Sequence, residues 1–383
     1  MNNDKKKICF VVARPSVANG FLREPIKKLA QEFDVYLASN FDGKPMEFDL
    51  PLAGYFDFPI QRKPSIGAML KALRILYKYF KREHFFAVHS QALSASVLNS
   101  LAGWMARVPH RLRIFTGQMW VTMTGVRKWF YRLLDKLTVR LNTELLVDGK
   151  PQRQFLIAER VLKEGQATVL ANGSISGVDI ERFKPTANDR KEERKKMNIA
   201  PAKVVYTFLG RLKRDKGVYE MLEAFNRLAG EKPDAYLLIF GNDEGNVMSH
   251  IGEYGNIING ENFCYFGLTR QPEKALQAAD VFVLPSYREG FGVSAIEAAC
   301  LGLPVICSDI YGMEDTMVDE VTGIRCKVKD ADSLYVAMAR LYEDESLRTS
   351  MGMQGRNRIL NDFSSELVSQ AWLQFYRDLE NKN

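Results

Sequence analysis

Four charged side chains in the second half of the sequence follow strand-like segments and could together bind an anionic substrate. Arg211 and Lys216 come after one such segment, and Glu289 and Glu297 come after another. An arginine binds phosphate as a two-pronged donor, whereas a lysine acts as a compact point charge. Lys216 also stands where a helix is predicted to begin, and that position disfavours a cation unless an anion binds there. The two cations are therefore predicted to hold a diphosphate.

Two glycines lie close to these glutamates, at the predicted start of a helix. Gly290 and Gly292 remove side chains where a helix N-terminus leaves backbone N–H groups free, so a phosphate or a sugar hydroxyl could approach closely. Glu289 precedes the helix, where a carboxylate also complements the helix dipole. Glu297 falls on the second turn among apolar neighbours, where burying a carboxylate is costly without a partner. A solvated helix position is the alternative for Glu297.

The sequence contains no clear metal-binding pattern. Asp330 and Asp332 formally make a DxD motif, but they precede a helical segment, and this predicts that Asp330 caps that helix. The five cysteines form no CxxC pair, and the four histidines are scattered. We therefore expect neither a disulfide framework nor a structural zinc site, as in a protein of the reducing cytoplasm.

Strand-like and helix-like segments alternate along the whole chain. This alternation predicts parallel sheets covered by helices on both faces, and its extent predicts two doubly wound domains. Because ligands bind outside the carboxyl ends of parallel strands, the four charged side chains should share one edge of a sheet. The predicted strands span residues 8–13, 34–38, 85–89, 112–115 and 144–147 in the first half, and residues 204–209, 236–240, 263–266, 281–285 and 303–307 in the second.

The composition is that of an ordinary globular protein. Of the 383 residues, 46% are hydrophobic and 26% are charged, which excludes a disordered or fibrous chain. No apolar run is long enough for a transmembrane helix. The apolar run near the N-terminus stops after six residues, at Arg14, and therefore predicts a strand rather than a secretory signal.

The two halves of the chain differ in charge. Residues 1–180 hold 27 Lys and Arg against 15 Asp and Glu, whereas the remainder holds 26 against 31. A basic half indicates a nucleic acid, an anionic lipid or a phosphorylated substrate as its partner.

Two segments of the basic half, 65–82 and 127–141, have the pattern of basic amphipathic helices. Such a helix lies on an anionic membrane surface, or it is a surface helix whose apolar face is core. Both interpretations stay open. In the first segment Tyr77, Tyr79 and Phe80 could add interfacial burial to the attraction of the cations for the membrane. The membrane-facing cations would be Lys71, Arg74, Lys78, Lys81 and Arg82.

Two stretches carry a resemblance to a known family. GRLKRDKG at 210–217 and LPSYREGFGVSAIEAACLGLPVICSDIYGMEDTMVDEVTGI at 284–324 resemble the retaining glycosyltransferases of family 4, whose mark is the E-x7-E pair of Glu289 and Glu297. The resemblance is dense over 165–330. In the first half, FTGQMWVTMTGVRKWFYRLLDKL and VLANGSISGVDIERFKP resemble a subgroup that builds bacterial surface polysaccharides on undecaprenyl diphosphate.

The resemblance implies a GT-B fold, an α/β architecture of two doubly wound, Rossmann-like domains facing a cleft. It implies an acceptor-binding domain over 1–175, a nucleotide-sugar-binding domain over 176–360 and a C-terminal helix over 361–383 that crosses back to the first domain. Arg211 and Lys216 would bind the donor diphosphate, Glu289 the sugar and Glu297 the ribose, with no metal and no cofactor. The full implied donor site comprises Gly210, Arg211, Lys216, Phe266, Gly267, Glu289, Gly290, Phe291, Gly292, Val293 and Glu297.

One position departs from the family pattern. Many members carry a histidine in the segment that matches Ile114–Gly117, and this sequence has none there. His89, at the end of the strand-like segment 85–89, is the remaining candidate for a catalytic histidine near the transferred sugar. A structural histidine is an equally good interpretation, so the group that deprotonates the acceptor stays open.

These observations predict a metal-independent enzyme that moves a hexose or an N-acetylhexosamine from a nucleotide sugar, with UDP favoured, to a lipid-linked glycan. Its partners would be the nucleotide sugar, the undecaprenyl-diphosphate acceptor and an anionic membrane, without nucleic acid. It would lie in the cytoplasm, peripherally at the inner face of the plasma membrane. The alternatives are a nucleotide-sugar 2-epimerase of the same fold and a basic nucleic-acid-binding protein.

Overall fold

The computed structural model describes residues 5–44, 46, 48–60, 65–257 and 261–382. The chain divides into two compact units. The first runs to Gly177 and resumes at Ser365, and the second spans Val178–Ser364. Residues 361–364 therefore belong with the second unit and not with the C-terminal segment to which the sequence assigned them.

The first unit is built on a parallel sheet of seven strands in the order β3-β2-β1-β4-β5-β6-β7. Short 3-10 turns apart, its strands alternate with helices, as the sequence pattern predicts. The strands are β1 (Lys7–Val11), β2 (Asp34–Ser39), β3 (Gly54–Asp57), β4 (Ala87–Gln91), β5 (His110–Phe115), β6 (Glu144–Val147) and β7 (Thr168–Val169). The helices are α1 (Pro15–Phe21), α2 (Arg23–Leu29), α3 (Ile66–Glu83), α4 (Leu93–Ala106), α5 (Gly125–Leu141) and α6 (Lys150–Ala158).

The second unit has a parallel sheet of six strands in the order β10-β9-β8-β11-β12-β13. The strands are β8 (Val204–Leu209), β9 (Ala235–Phe240), β10 (Phe263–Gly267), β11 (Val281–Leu284), β12 (Val305–Ser308) and β13 (Gly323–Cys326). The helices are α7 (Ala187–Lys196), α8 (Val218–Glu231), α9 (Pro272–Ala275), α10 (Val293–Cys300), α11 (Tyr311–Glu314), α12 (Ala331–Glu343) and α13 (Glu345–Asp362).

The strand order of each sheet reverses at its centre. In the second unit β8 pairs with β9 on one side and with β11 on the other. The loops that follow β8 and β11 therefore leave the sheet side by side, which is the position where parallel sheets bind ligands. The predicted doubly wound architecture is confirmed, and it brings the two loops that carry the predicted charges to one sheet edge.

The last helix, α14 (Ser365–Asn381), belongs to the first unit. Trp372 and Tyr376 are buried in the same core as Phe10 of β1. The indole Nε1 of Trp372 donates a hydrogen bond to the carbonyl oxygen of Ile175 at 3.0 Å. The predicted return of the C-terminal helix to the first domain is confirmed.

Helix ends follow local sequence signals. Ser65 caps α3 by accepting a hydrogen bond from the N–H of Ala68 at 3.2 Å. Asp330 caps α12 in the same way, since its carboxylate accepts from the N–H of Ser333 at 2.8 Å. The predicted capping role of Asp330 is therefore confirmed. No helix in the described part of the chain is long and apolar enough to cross a membrane.

Replacing Trp372 with alanine should destabilise the first unit by about 3–5 kcal/mol, because the change empties a large buried volume and removes a buried hydrogen bond. Urea unfolding followed by circular dichroism measures the loss. Trp372→Phe keeps most of the buried ring and should cost clearly less. Equal stability of the alanine variant and the wild type would show that α14 does not complete this core.

Candidate active site

Three strand ends of the second unit meet at one edge through backbone hydrogen bonds. The N–H of Gly210, just after β8, donates to the carbonyl of Phe240 at 3.0 Å. The N–H of Gly241, just after β9, donates to the carbonyl of Gly267 at 2.7 Å. The predicted donor-site residues Gly210 and Gly267 therefore lie at a shared edge, as parallel strand ends should.

Lys216 and Glu289 form an ion pair at this edge. The Nζ of Lys216 lies 2.5 Å from Oε1 of Glu289, and both side chains are mostly buried. The hydroxyl of Ser286 donates to the same carboxylate oxygen at 2.8 Å. The sequence predicts that Lys216 binds an external anion at a helix start. The structure shows that the carboxylate of Glu289 already lies against it.

Close backbone packing brings the two loops together. Gly217 has a left-handed conformation, with φ of 67°, and a β-carbon there would lie 1.9 Å from the carbonyl oxygen of Pro285. Only glycine fits such an approach. The N–H of Tyr287 donates to the carbonyl of Asp215 at 3.0 Å, and Arg288 forms a 2.8 Å ion pair with the Asp215 carboxylate. The loop after β11 is thereby fixed to the loop after β8.

Arg211 has a different partner from Lys216. Its Nη1 lies 3.1 Å from Oε2 of Glu244, in the loop that follows β9. The guanidinium remains exposed over about two-fifths of its side chain (43%), and it can therefore exchange this contact for an incoming anion.

Glu297 lies on α10 in surroundings that favour the neutral acid. Burial raises the pKa of its carboxyl from 4.5 to about 7, against the opposing effect of Arg182, while Glu273 raises it further. Arg182 is itself paired with Glu273 at 2.7 Å. Glu297 is half-buried and has no hydrogen-bond partner among the residues that the structure describes, so its carboxyl is available to a ligand.

Some residues around the start of α10 are buried in the core, and others are partly accessible to a ligand. Phe291 is buried, its carbonyl accepts a hydrogen bond from the hydroxyl of Thr316, and its ring packs 5.3 Å from that of Phe363. Gly292 adopts a left-handed conformation and caps the helix, whereas Gly290 and Val293 are half-buried. The side chain of Phe291 is therefore part of the core, and only its backbone can face a ligand.

Phe266 supplies an aromatic surface at the end of β10. Its ring is exposed over 43% of its area and stacks at 5.3 Å on the buried ring of Phe240. A rigidly held, half-exposed ring of this kind can stack against a planar ligand.

Comparison with known proteins identifies this unit. Residues 189–358 match the family model described as glycosyl transferases group 1, and the match contains the Lys216–Glu289 pair. Residues 189–358 form a group 1 glycosyltransferase domain. The sequence resemblance to glycosyltransferases is thus confirmed, and the chain is an enzyme of this class.

Relatives and solved structures agree with this assignment over almost the whole chain. The capsular polysaccharide biosynthesis glycosyltransferase CapM of Staphylococcus aureus is 28% identical, over 88% of each chain. An Escherichia coli protein named UDP-Gal:alpha-D-GlcNAc-diphosphoundecaprenol alpha-1,3-galactosyltransferase is 28% identical, over 87% of this chain and 86% of its own. The sucrose-phosphate synthase of Thermosynechococcus elongatus superposes with a TM-score of 0.83 at 20% identity, over 99% of this chain and 100% of its own, which shows the GT-B fold.

His89 lies in the core of the first unit and not in the glycosyltransferase domain. Its ring is almost fully buried, 5.1 Å from that of Phe10 and 4.9 Å from that of Trp372. Its Nδ1 is 3.4 Å from the hydroxyl oxygen of Tyr376. Burial lowers the pKa of His89 to about 3, so the ring is neutral. These surroundings favour the structural interpretation of this histidine over the catalytic one.

The five cations predicted to face a membrane all lie exposed on α3. The aromatic part of that prediction is wrong for two residues: Tyr79 and Phe80 are buried in the core of the first unit, so they cannot insert into a bilayer. Ile66 and Leu70 of the same helix are exposed. The cations are Lys71, Arg74, Lys78, Lys81 and Arg82, and Arg82 contacts Glu83 at 2.9 Å.

Several residues that shape the site were not predicted from the sequence. Ser286 hydrogen-bonds to Glu289, Asp215 holds the loop after β11, and Gly312 packs against the backbone of Glu289. Ser286 carried a usable signal, because it is a small polar residue directly after a buried strand. Gly312 carried none, since its contact with Glu289 exists only in three dimensions.

Replacing Gly312 with alanine should disturb the glycosyltransferase site. A β-carbon at Gly312 would lie 2.2 Å from the carbonyl oxygen of Glu289, so the loop that carries Glu289 has to shift. We expect a loss of about 1–3 kcal/mol in the free energy of unfolding, measured with urea. Gly252→Ala is the matched control, because nothing lies within 4 Å of its added carbon. Equal stability of both variants would show that the contact at Gly312 is loose.

Glu297 should make stability fall as the pH rises. The pKa of its carboxyl is raised in the folded chain, so between about pH 4.5 and pH 7 the folded state holds a proton that the unfolded state has released. The stabilisation is complete below this window and is lost as the pH rises through about 7. Relative to Glu297→Gln, the wild type should lose free energy of unfolding as the pH rises through this window, from about 4.5 to about 7. A constant difference between the two proteins would contradict the raised pKa.

Proposed function

We propose that this enzyme is a retaining glycosyltransferase that moves a hexose or an N-acetylhexosamine from a UDP-sugar to a hydroxyl of a glycan carried on undecaprenyl diphosphate. The observation that carries the proposal is the Lys216–Glu289 ion pair, which holds a cation suited to phosphate 2.5 Å from a carboxylate suited to sugar hydroxyls. The name of the Escherichia coli relative contains a UDP-linked donor and a diphosphoundecaprenol acceptor, and this supports the choice of substrates.

The two cations would stabilise the leaving group. As the bond between the anomeric carbon and the diphosphate breaks, the bonding electrons pass to the phosphate oxygen, and negative charge develops there. The ammonium of Lys216 and the guanidinium of Arg211 would hold that charge in place of a metal ion. Arg211 would exchange its exposed contact with Glu244 for the diphosphate.

The two glutamates would have different tasks. Oε1 of Glu289 already accepts hydrogen bonds from Lys216 and Ser286, so the carboxylate has a fixed orientation and its second oxygen can accept from a sugar hydroxyl. Glu297 would bind the ribose of the nucleotide, because its carboxyl is half-buried and has no hydrogen bond from the described residues. The half-exposed ring of Phe266 would stack against the base.

The first unit would receive the lipid-linked acceptor. A glycan on undecaprenyl diphosphate is held at a membrane, so the enzyme must approach an anionic leaflet without spanning it. Five exposed cations on α3 can provide attraction of about 1 kcal/mol each near such a surface, and salt weakens it. We therefore propose a peripheral position at the inner face of the plasma membrane.

Replacing Lys216 with alanine should lower turnover with the nucleotide sugar by a factor on the order of 10²–10³, because one preorganised charge is removed from the leaving group. UDP binding, followed by thermal shift, should weaken as well. Lys213→Ala is the matched control, since Lys213 is an exposed lysine of the same loop. Unchanged kinetics with UDP-linked hexoses and N-acetylhexosamines would overturn the diphosphate assignment.

The Glu289→Gln variant distinguishes recognition of the sugar from binding of the nucleotide. This variant should lose transfer while it keeps most of its UDP binding, because the carboxylate is assigned to the sugar. Weaker UDP binding would mean that the roles of Glu289 and Glu297 are reversed. Formation of an epimerised UDP-sugar in the absence of an acceptor would show that the protein is a nucleotide-sugar 2-epimerase and not a transferase.

Reversing three charges on α3 should weaken binding to anionic vesicles. We expect Lys71→Glu, Lys78→Glu and Arg82→Glu together to abolish salt-sensitive sedimentation with phosphatidylglycerol vesicles, because attraction becomes repulsion. The triple variant should keep transfer to a short soluble acceptor and lose transfer to the lipid-linked one. Reversal of Lys184, Lys191 and Lys195 in the second unit changes the net charge equally and is the control. Equal loss in both variants would remove α3 from the proposal.

A further inference from the structure

We propose that α5 inserts an exposed apolar face into the anionic bilayer and holds the enzyme there by contacts that salt does not screen. This inference rests on the proposed membrane-linked acceptor, and it adds a second attachment surface to the cations of α3. The observations behind it are the exposed apolar side chains of α5, not the cations of α3.

Five apolar side chains of α5 form a continuous stripe that the described part of the chain leaves exposed. Trp129 is exposed over 63% of its area and Phe130 over 48%, values that are unusual for aromatic side chains. The spacing of the set, with steps of three and four residues, places it on one helical face. The stripe consists of Val126, Trp129, Phe130, Leu133 and Leu137.

The opposite face of α5 explains this exposure, because its buried part contains a charged network. Asp135 forms a buried ion pair with Arg113 of β5 and accepts a hydrogen bond from the indole Nε1 of Trp120 at 2.6 Å. Thr138 is buried beside it and also contacts Arg113, while Val139 adds an apolar contact to the core. The helix therefore packs on α4 and the sheet through a largely polar side, and the apolar stripe faces solvent, in contrast to an ordinary surface helix.

The charge around the stripe selects an anionic bilayer as the occupant. Arg127 and Arg140 are exposed at its two ends, and Lys136 flanks it. Asp135 is the one acidic residue of α5, and Arg113 neutralises it in the interior. An anionic leaflet complements a basic rim around an apolar stripe. A symmetric contact with a second copy would place the same cations against each other without a carboxylate from α5.

Tryptophan fluorescence can test the insertion directly. Trp120 and Trp372 are fully buried, so Trp104→Phe leaves Trp129 as the exposed indole. In this background the full-length protein is mixed with phosphatidylglycerol–phosphatidylcholine vesicles whose acyl chains are brominated. Insertion predicts quenching of Trp129 that persists when salt is raised after binding. Absence of quenching while the protein still sediments with the vesicles would overturn the proposal, since only surface attraction would remain.

A paired substitution gives the second measurement. Trp129→Gln with Phe130→Gln should weaken partitioning into these vesicles about tenfold or more, since two large apolar side chains leave the contact. Val336→Gln with Met353→Gln, at similarly exposed positions of the second unit, is the control and should change nothing. An unchanged partition of the α5 variant, or self-association without vesicles that this variant abolishes, would overturn the proposal.

Activity on a soluble acceptor separates this inference from the proposed function. If the wild type transfers no sugar to any acceptor but Trp129 is quenched, the proposed reaction fails and the attachment surface stands. If transfer to the soluble acceptor is intact in the wild type and in the paired α5 variant and Trp129 is not quenched, the reaction stands and α5 is not the inserted element.

Discussion

The close approach of the backbone after β8 to the backbone after β11 is the constraint on which the candidate site depends. The two strands are neighbours because the order of the sheet reverses between them, so their loops leave the same edge. Gly217 permits contact with the carbonyl of Pro285 that a side chain would prevent. Lys216 and Glu289 come from these two loops, and their ion pair exists because the loops touch. The ion pair of Asp215 with Arg288 then fixes the arrangement.

Two ion pairs show how burial separates a structural role from a functional one. Arg113 and Asp135 are both buried, and Trp120 and Thr138 add hydrogen bonds to the pair. Such a pair is costly to break. Lys216 and Glu289 are partly open, and Ser286 and Lys216 occupy a single oxygen of the carboxylate. The second pair is the one that can rearrange around a charged substrate.

Much of the architecture could be predicted from the sequence because strands buried in parallel sheets are nearly continuous hydrophobic runs. The short strands β3, β7 and β13 lie at or near the sheet edges and lack such runs, so they were not predicted. The charged site residues were recognised from their position after strands. Their pairing was not, because Lys216 and Glu289 are distant in sequence and each suggested a separate partner.

Helical periodicity identifies which residues share a face but does not identify which face packs on the sheet. On α5 the buried face includes Asp135 and Thr138 beside Val139, because Arg113 from β5 neutralises Asp135. The surroundings of His89 were hidden for a related reason. Trp372 and Tyr376, which enclose its ring, come from the opposite end of the chain.

The position of α14 also affects the order in which the chain can fold during synthesis. The strands of the first unit leave the ribosome early, but the helix that supplies Trp372 to their core follows the second unit in the chain. The whole second unit is synthesised in between and contains its own core, so it can fold before the core of the first unit is complete. During that interval the apolar surface around Phe10 is open to solvent. Nascent chains of this enzyme therefore expose an apolar surface until α14 has left the ribosome and packs against it.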